Sequence, residues 1–342
     1  MHGTTQYIVT QAALSCGRPS SELDNTIMGS ALESKSHFKI LALDGGGAKG
    51  VYSLAVLQEL ERATGRPIHK QFDLIYGTST GAIIAALLGV ATPAEECLQL
   101  YLRHVPQILS PLFARERSKR LRQMASDLFS EFSWDSLRLP TAFVATNWTD
   151  QRPIIFKSSQ SAAHSLIASF VPGFGVSIED AIAASCSATP CFLPCDLTPI
   201  NASPLEARDG GFCANNPSLF ALADALHAFQ IPEAHLRLLS IGVGHYPVRR
   251  RLIYSIARMT PGFDLLEKTL AANAVTTEDL IKFLFPDLAI VRINEHFSSP
   301  DMETDFLECR PKKLQMLRAR GRDSYAKYET EILELLNSHG KN

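Results

Sequence analysis

Phe72-Asp73-Leu74-Ile75-Tyr76-Gly77-Thr78-Ser79-Thr80-Gly81-Ala82-Ile83-Ile84-Ala85-Ala86-Leu87-Leu88-Gly89-Val90 is the stretch on which the fold turns. Phe72 to Tyr76 is a short apolar run suited to a buried strand, and Ala82 to Val90 is an apolar helix. Between them lies the pentapeptide Gly77-x-Ser79-x-Gly81. A serine on a sharp strand-to-helix turn exposes its hydroxyl, and flanking glycines leave room for the strained backbone. The following helix directs its N-terminus at the turn, where backbone N–H groups favour developing negative charge. Ser79 is therefore the candidate nucleophile, on a nucleophile elbow supported by Gly77 and Gly81. The pentapeptide alone arises by chance in glycine-rich loops; its place between strand and helix gives it weight.

The same order occurs once upstream. Phe38 to Leu43 reads as a buried strand, Asp44-Gly45-Gly46-Gly47-Ala48-Lys49-Gly50 follows, and a helical pattern runs from Val51 to about Ala63 with Leu54, Leu57 and Leu60 on one face. Thr64-Gly65-Arg66-Pro67 stops that helix. Two strand–glycine turn–helix units predict an α/β fold with a central, mostly parallel sheet flanked by helices. Gly45, Gly47 and Gly50 also satisfy the dinucleotide pattern GxGxxG. That reading needs an acidic residue at the end of the next strand to hold a ribose, and the next strand ends in the serine turn instead. A P-loop is excluded because Lys49 is followed by Gly50 and not by Ser or Thr. Three consecutive glycines suit a different task, bare amides approaching an oxyanion. Gly45, Gly46 and Gly47 are the expected oxyanion hole, with Asp44, Lys49 and Gly50 as supporting residues.

A third motif is Asp209-Gly210-Gly211, followed by Asn215-Asn216-Pro217. Alone, Asp-Gly reads as a surface turn. Beside the other two motifs, Asp209 becomes the candidate base, with Gly210 and Gly211 in support.

Composition narrows the classes. The 342 residues carry a formal net charge of -2 and a pI near 6.6, so no basic footprint for a nucleic acid polymer is present. The local basic runs Arg115 to Arg122 and Arg249-Arg250-Arg251 read as solvated helix faces or loops, with a phosphate or lipid-headgroup patch as the alternative. Seven cysteines are an odd count and imply no disulfide framework; Cys186, Cys191 and Cys195 cluster at spacings that fit no common zinc signature. The longest apolar run, Ala82 to Ala91, is too short to cross a bilayer, and no basic lead with an apolar core opens the chain. A cytoplasmic chain with reduced thiols is the expectation.

Residues 1–36 are rich in Ser, Thr and Gly without sustained periodicity and read as a flexible tail; residues 37–342 read as one domain, mostly helical over 251–342. Further strands are expected at Thr141 to Thr146, Pro153 to Phe156, Leu236 to Val243 and Ala289 to Ile293. Helices are expected at Ala94 to Val105, Ile178 to Ser185 and Asp323 to Leu336, with a charged segment reaching Glu131.

In their order, Asp-Gly-Gly-Gly-x-Lys-Gly, Gly-x-Ser-x-Gly and Asp-Gly-Gly resemble the motifs of the patatin-like phospholipases. The segment Ser187-Ala188-Thr189-Pro190-Cys191-Phe192, the later Asn-Asn-Pro and the strand Leu238 to Val243 fit the same family, and weaker similarity continues past Asp301-Met302. The resemblance covers Phe38 to the C-terminus. Lys49 stands where many members carry arginine, a departure that keeps the charge.

The resemblance implies a Ser79–Asp209 dyad that cleaves acyl esters of glycerophospholipids or related lipids. Neither a metal nor a cofactor is needed, since backbone amides polarise the carbonyl. It also implies peripheral contact with a membrane. Some cytosolic bacterial members of this size and architecture are antiviral effectors switched on by a cyclic nucleotide, so a cyclic nucleotide activator and a homo-oligomer join the expected partners. Phe212, Phe192, Leu193 and Ile83 are candidates for an acyl channel, with core packing as the other reading. Two rivals stay open: a Ser79–Asp209–histidine triad in α/β-hydrolase order using His235 or His245, and a non-catalytic nucleotide-binding module on the same frame.

Overall fold

Strand β1 (Phe38–Leu43) is buried at every position except Lys39, as an apolar run between two neighbours should be. The computed structural model describes residues 37–163, 170–200, 202–247 and 262–337. The expected tail, the Arg249-Arg250-Arg251 run and parts of 251–342 lie outside them. After β1 come α1 (Gly50–Thr64), β2 (Leu74–Thr78), α2 (Thr80–Gly89), α3 (Ala94–Leu109), α4 (Ala114–Phe129), β3 (Thr141–Asn147) and β4 (Arg152–Lys157). The chain continues through α5 (Ile178–Ser185), β5 (Cys195–Leu197), β6 (Leu205–Asp209), α6 (Gly211–Ala214), α7 (Ser218–His227) and β7 (Leu236–Ile241). It closes with α8 (Gly262–Leu284), β8 (Ala289–Ile293) and α9 (Pro311–Asn337).

The sheet runs β5-β6-β3-β2-β1-β7-β8, with β4 also on β3. The strands β3, β2, β1, β7 and β8 are mutually parallel, while β4, β5 and β6 join antiparallel. Every residue of α2 is buried, which explains why its sequence carries no polar face.

Register at β3 builds the site. Strand β2 pairs with the first part of β3 and stops at Thr78 opposite Val144. Strand β4 occupies the other edge along Ala142 to Asn147. Strand β6 therefore comes in on the edge that β2 has vacated, with Asp209 opposite Ala145. The residue after Thr78 is Ser79, and the residue after Val144 faces Asp209. Two strand ends meet on one edge of a third.

Several elements differ from the sequence expectation. The charged segment before Glu131 is the helix α4, whose buried side carries Leu121, Met124, Ala125 and Phe129. Asp209 is the last residue of a strand, and its turn begins only at Gly210. Strands β5 and β6 were not foreseen: one has three residues, and Leu-Glu-Ala-Arg-Asp is half-exposed and charged. The closing helix begins at Pro311, twelve residues before Asp323, with proline where its missing N–H costs nothing.

Candidate active site

Ser79 sits at φ 52° and ψ −121°, a positive φ that costs a non-glycine residue about 1–3 kcal/mol. The surrounding chain leaves it no alternative. A Cβ on Gly77 would lie 2.2 Å from the Gly81 carbonyl oxygen, and a Cβ on Gly81 would lie 2.2 Å from that of Leu43. The turn is thus pressed against the end of β1, which only bare backbone permits. The Ser79 amide donates to Ser185 Oγ at 2.8 Å, and Ser185 Oγ donates in turn to the Val144 carbonyl at 2.6 Å.

Ser79 Oγ donates to Asp209 Oδ2 at 2.6 Å across 130 positions of sequence. The other carboxylate oxygen accepts the Gly211 amide at 2.7 Å, and Thr146 Oγ1 donates to the Asp209 carbonyl at 2.8 Å. Gly210 donates its amide to the Ser185 carbonyl at 3.2 Å. Asp209 is 1% exposed.

The glycine loop needs one correction. The Gly45 amide, expected as an oxyanion donor, is already spent on the Asn215 carbonyl at 3.0 Å. The Asn215 side-chain amide in turn donates to the Gly45 carbonyl at 3.3 Å, so the Asn-Asn-Pro motif clamps this glycine from both sides. Gly46 and Gly47 remain. The carbonyls of Gly45 and Gly46 are held by Asn215 and by the Lys49 amide. A trans peptide keeps its N–H opposite its carbonyl, so the Gly46 and Gly47 amides turn the other way, where no acceptor among the described residues meets them. Gly47 takes φ +55°, and its carbonyl accepts from Tyr101 Oη at 2.5 Å and Thr80 Oγ1 at 2.9 Å.

Gly46, Gly47, Ser79 and Asp209 share the wall of a cavity whose remaining lining is mostly apolar, including Ile83, Val105, Ile108, Leu121, Phe192 and Phe306. Of the acyl-channel candidates, Ile83 and Phe192 line it. Phe212 stacks edge-on against Trp148, and Leu193 faces solvent at 45% exposure. The supporting residues lie around the loop. Gly50 opens α1, and Lys49 reaches Glu267 at 3.3 Å. Asp44 forms a bidentate pair with Arg292 at 2.9 and 2.6 Å.

Neither histidine of the rival triad lines this cavity. His235 ends the turn that leads into β7, and β7 runs parallel to β1 and β2, so it stands at the opposite end of the sheet from Ser79. His245 lines an adjoining, more polar cavity that shares Gly46, Asn215, Leu270 and Phe306 with the first; it shares a hydrogen bond with Asn294 at 2.8 Å and stacks on His296 with centroids 4.2 Å apart. Among the described residues, no group of three or more His, Cys, Asp or Glu is arranged to hold a metal ion.

A family model described as patatin-like phospholipase matches residues 41–222. A cUMP-AMP-activated phospholipase of Escherichia coli is 42% identical over 299 residues, 87% of this chain and 93% of that protein. The chain belongs to the patatin-like phospholipase family. A cGAMP-activated phospholipase of Pseudomonas aeruginosa is 31% identical over 60% of this chain and 62% of its own length. A calcium-independent phospholipase A2-gamma of Oryctolagus cuniculus is 30% identical over 64% of this chain and 30% of its own length. Membership makes the chain a hydrolase of lipid ester bonds, and the nucleotide-binding alternative is set aside.

In this patatin-like phospholipase, burial pushes the Asp209 carboxyl from an ordinary 3.8 up to about 6, against the pull of the Ser79 hydroxyl and the Gly211 amide. A carboxylate that weakly acidic is suited to taking a serine proton near neutral pH. Burial likewise pushes the neighbouring Cys186 thiol well up, so it stands in the cavity wall as a neutral group.

Sequence reasoning missed Ser185, Thr146, Tyr101 and Arg292. The first three act on residues far away in sequence and leave no local pattern. Arg292 does leave one: a lone charge in the apolar strand Ala-Ile-Val-Arg-Ile, where a buried charge demands a partner.

Proposed function

We propose that Ser79 is the nucleophile and Asp209 the base of a dyad that hydrolyses acyl esters of glycerophospholipids. The observation that carries this reading is the 2.6 Å hydrogen bond from Ser79 Oγ to Asp209 Oδ2 in the wall of an apolar cavity. Ser79 Oγ attacks the ester carbonyl while Asp209 takes its proton. The carbonyl oxygen becomes an oxyanion and accepts from the Gly46 and Gly47 amides. Collapse expels the lysolipid alkoxide, which receives the proton from Asp209 and leaves the acyl group on Ser79. Water then gives its proton to Asp209 and its hydroxyl to the acyl carbon. Release of the fatty acid returns the proton to Ser79.

Two relatives carry names of cyclic-nucleotide-activated phospholipases, and the E. coli relative aligns over 93% of its own length. On that basis the chain is a cytoplasmic enzyme that works at the membrane periphery, switched on by a cyclic nucleotide, in a homo-oligomer, as an antiviral effector. An organophosphonate probe tests the dyad: Ser79 is labelled in the native chain and no label enters Ser79→Ala. Hydrolysis of phospholipid vesicles with and without cUMP-AMP or cGAMP tests the switch; a rate unchanged by either removes it.

A further inference from the structure

The corner where α3 turns into α4 carries two large apolar side chains in the open. Leu112 is 67% exposed and Phe113 76%. Residues so placed lose contact with water only when something covers them. Leu193, also exposed, is tied to this corner by its amide, which donates to Ser118 Oγ of α4 at 2.8 Å. All three adjoin segments that wall the Ser79 cavity: α3 contributes Val105 and Ile108, α4 contributes Leu121, and Phe192 precedes Leu193.

The charge beside them on α4 is mainly positive, although Asp180 and Asp196 lie near Cys195, which Arg122 contacts. Arg115, Lys119 and Arg122 are exposed and spaced i, i+4 and i+7, which puts them on one face of α4. Ser118, which holds Leu193, borders that face, and Arg122 contacts Cys195 Sγ, at the start of β5, at 3.4 Å. The one carboxylate in the first turns of α4, Glu116, pairs with Arg120. Arg115 and Lys119 form no ion pair among the described residues.

We propose that this corner is the surface by which the enzyme docks on an anionic phospholipid bilayer, with Leu112, Phe113 and Leu193 entering the acyl region while Arg115, Lys119 and Arg122 meet the headgroups. Apolar tips beside a basic face are complementary to such a surface, which is apolar within and negative at its boundary. Docking there brings the bilayer against the two helices that enclose the acyl cavity. This rests on the lipid-hydrolase reading and adds the place of contact.

The test is cosedimentation of the full chain with vesicles of phosphatidylcholine alone and of phosphatidylcholine mixed with phosphatidylglycerol. The native chain binds the mixed vesicles and releases as salt rises. The double variant Leu112→Ser/Phe113→Ser weakens binding to both by about tenfold or more. Arg115→Ser/Lys119→Ser/Arg122→Ser lowers binding to mixed vesicles to the level seen with phosphatidylcholine and abolishes the salt effect. Hydrolysis of a soluble short-chain ester stays at the native rate in both variants. Unchanged vesicle binding in both variants overturns the proposal. So does a native oligomer that the Leu112→Ser/Phe113→Ser variant reduces to monomer with vesicle binding intact, because the patch is then an interface between copies. A native chain that binds vesicles but hydrolyses no ester leaves the docking surface standing and defeats the dyad.

Discussion

Asp44 and Asp209 look alike in sequence and are opposites in the structure. Each stands at the end of a strand, Asp44 just past β1 and Asp209 as the last residue of β6; each is followed directly by glycines, and each is almost wholly buried. Asp44 faces a guanidinium: Arg292 meets both its oxygens and is braced by Ser240 Oγ at 2.9 Å and Glu278 at 3.5 Å. Burial pushes the Asp44 carboxyl up, and Arg292 opposes that push. Among the described residues, one hydroxyl and one amide oppose the burial of Asp209, and its pKa stands at about 6. A buried carboxylate with a cation holds chain together. One without a cation is a base in waiting, and the fold bears the cost of keeping it.

Activity and stability should therefore part company between the two aspartates. Asp209→Asn should lower hydrolysis of a soluble ester by roughly 10⁴-fold, about 5 kcal/mol in the barrier, by removing the proposed proton acceptor. Loss of a few-fold only would mean that another group takes the proton. Asp44→Asn should act first on folding: a buried arginine robbed of its main partner costs about 3–5 kcal/mol, read as a lower midpoint in urea. Comparable melting of native and variant chains would show that the Arg292 pair contributes little.

Asp209→Asn should move stability the other way. A carboxyl pKa raised from 3.8 to about 6 means that the folded state binds the proton more tightly than the unfolded one. That contribution is complete below pH 3.8 and is lost as pH rises through about 6. At neutral pH the native chain thus carries a penalty of up to about 3 kcal/mol, which the asparagine variant escapes. A raised urea midpoint at pH 7 that vanishes at low pH is the expected outcome. The same pKa sets the rate: kcat/KM for a soluble ester should fall about tenfold per pH unit below about 6 as Asp209 takes up its proton. An inflection below pH 4 would place the working base elsewhere.

The smallest effect belongs to His245. Burial, followed by the nearby His296, Lys49 and Arg292, lowers its pKa to about 4, so it is neutral, and it lines the polar cavity instead of the one holding Ser79. His245→Ala should change kcat/KM on a soluble ester by less than about threefold. A loss like that of Asp209→Asn would restore the triad.

Much of this contrast was legible beforehand. Periodicity marked Phe38–Leu43, the serine turn and the helix after it, because a strand buried on both faces has no room for polar residues. The motifs named Ser79, Asp209 and the glycine loop. They did not separate Gly45 from Gly46 and Gly47, since the loss of the Gly45 amide depends on a carbonyl 170 residues away. Nor did they reveal strand β6, whose Leu-Glu-Ala-Arg-Asp sequence is too charged to read as sheet.

The amino-acid order alone determined which residue types stand at which turns: a hydroxyl between glycines, a carboxylate before glycines, three side-chain-free amides in a row. Those are local properties, written in spacing and in the steric needs of a sharp turn. Only the tertiary structure decided that β6 would take the edge of β3 where β2 ends, that Arg292 would reach Asp44, and that Asn215 would take the Gly45 amide. Such outcomes depend on what lies within a few ångströms, and distance in the chain says little about that.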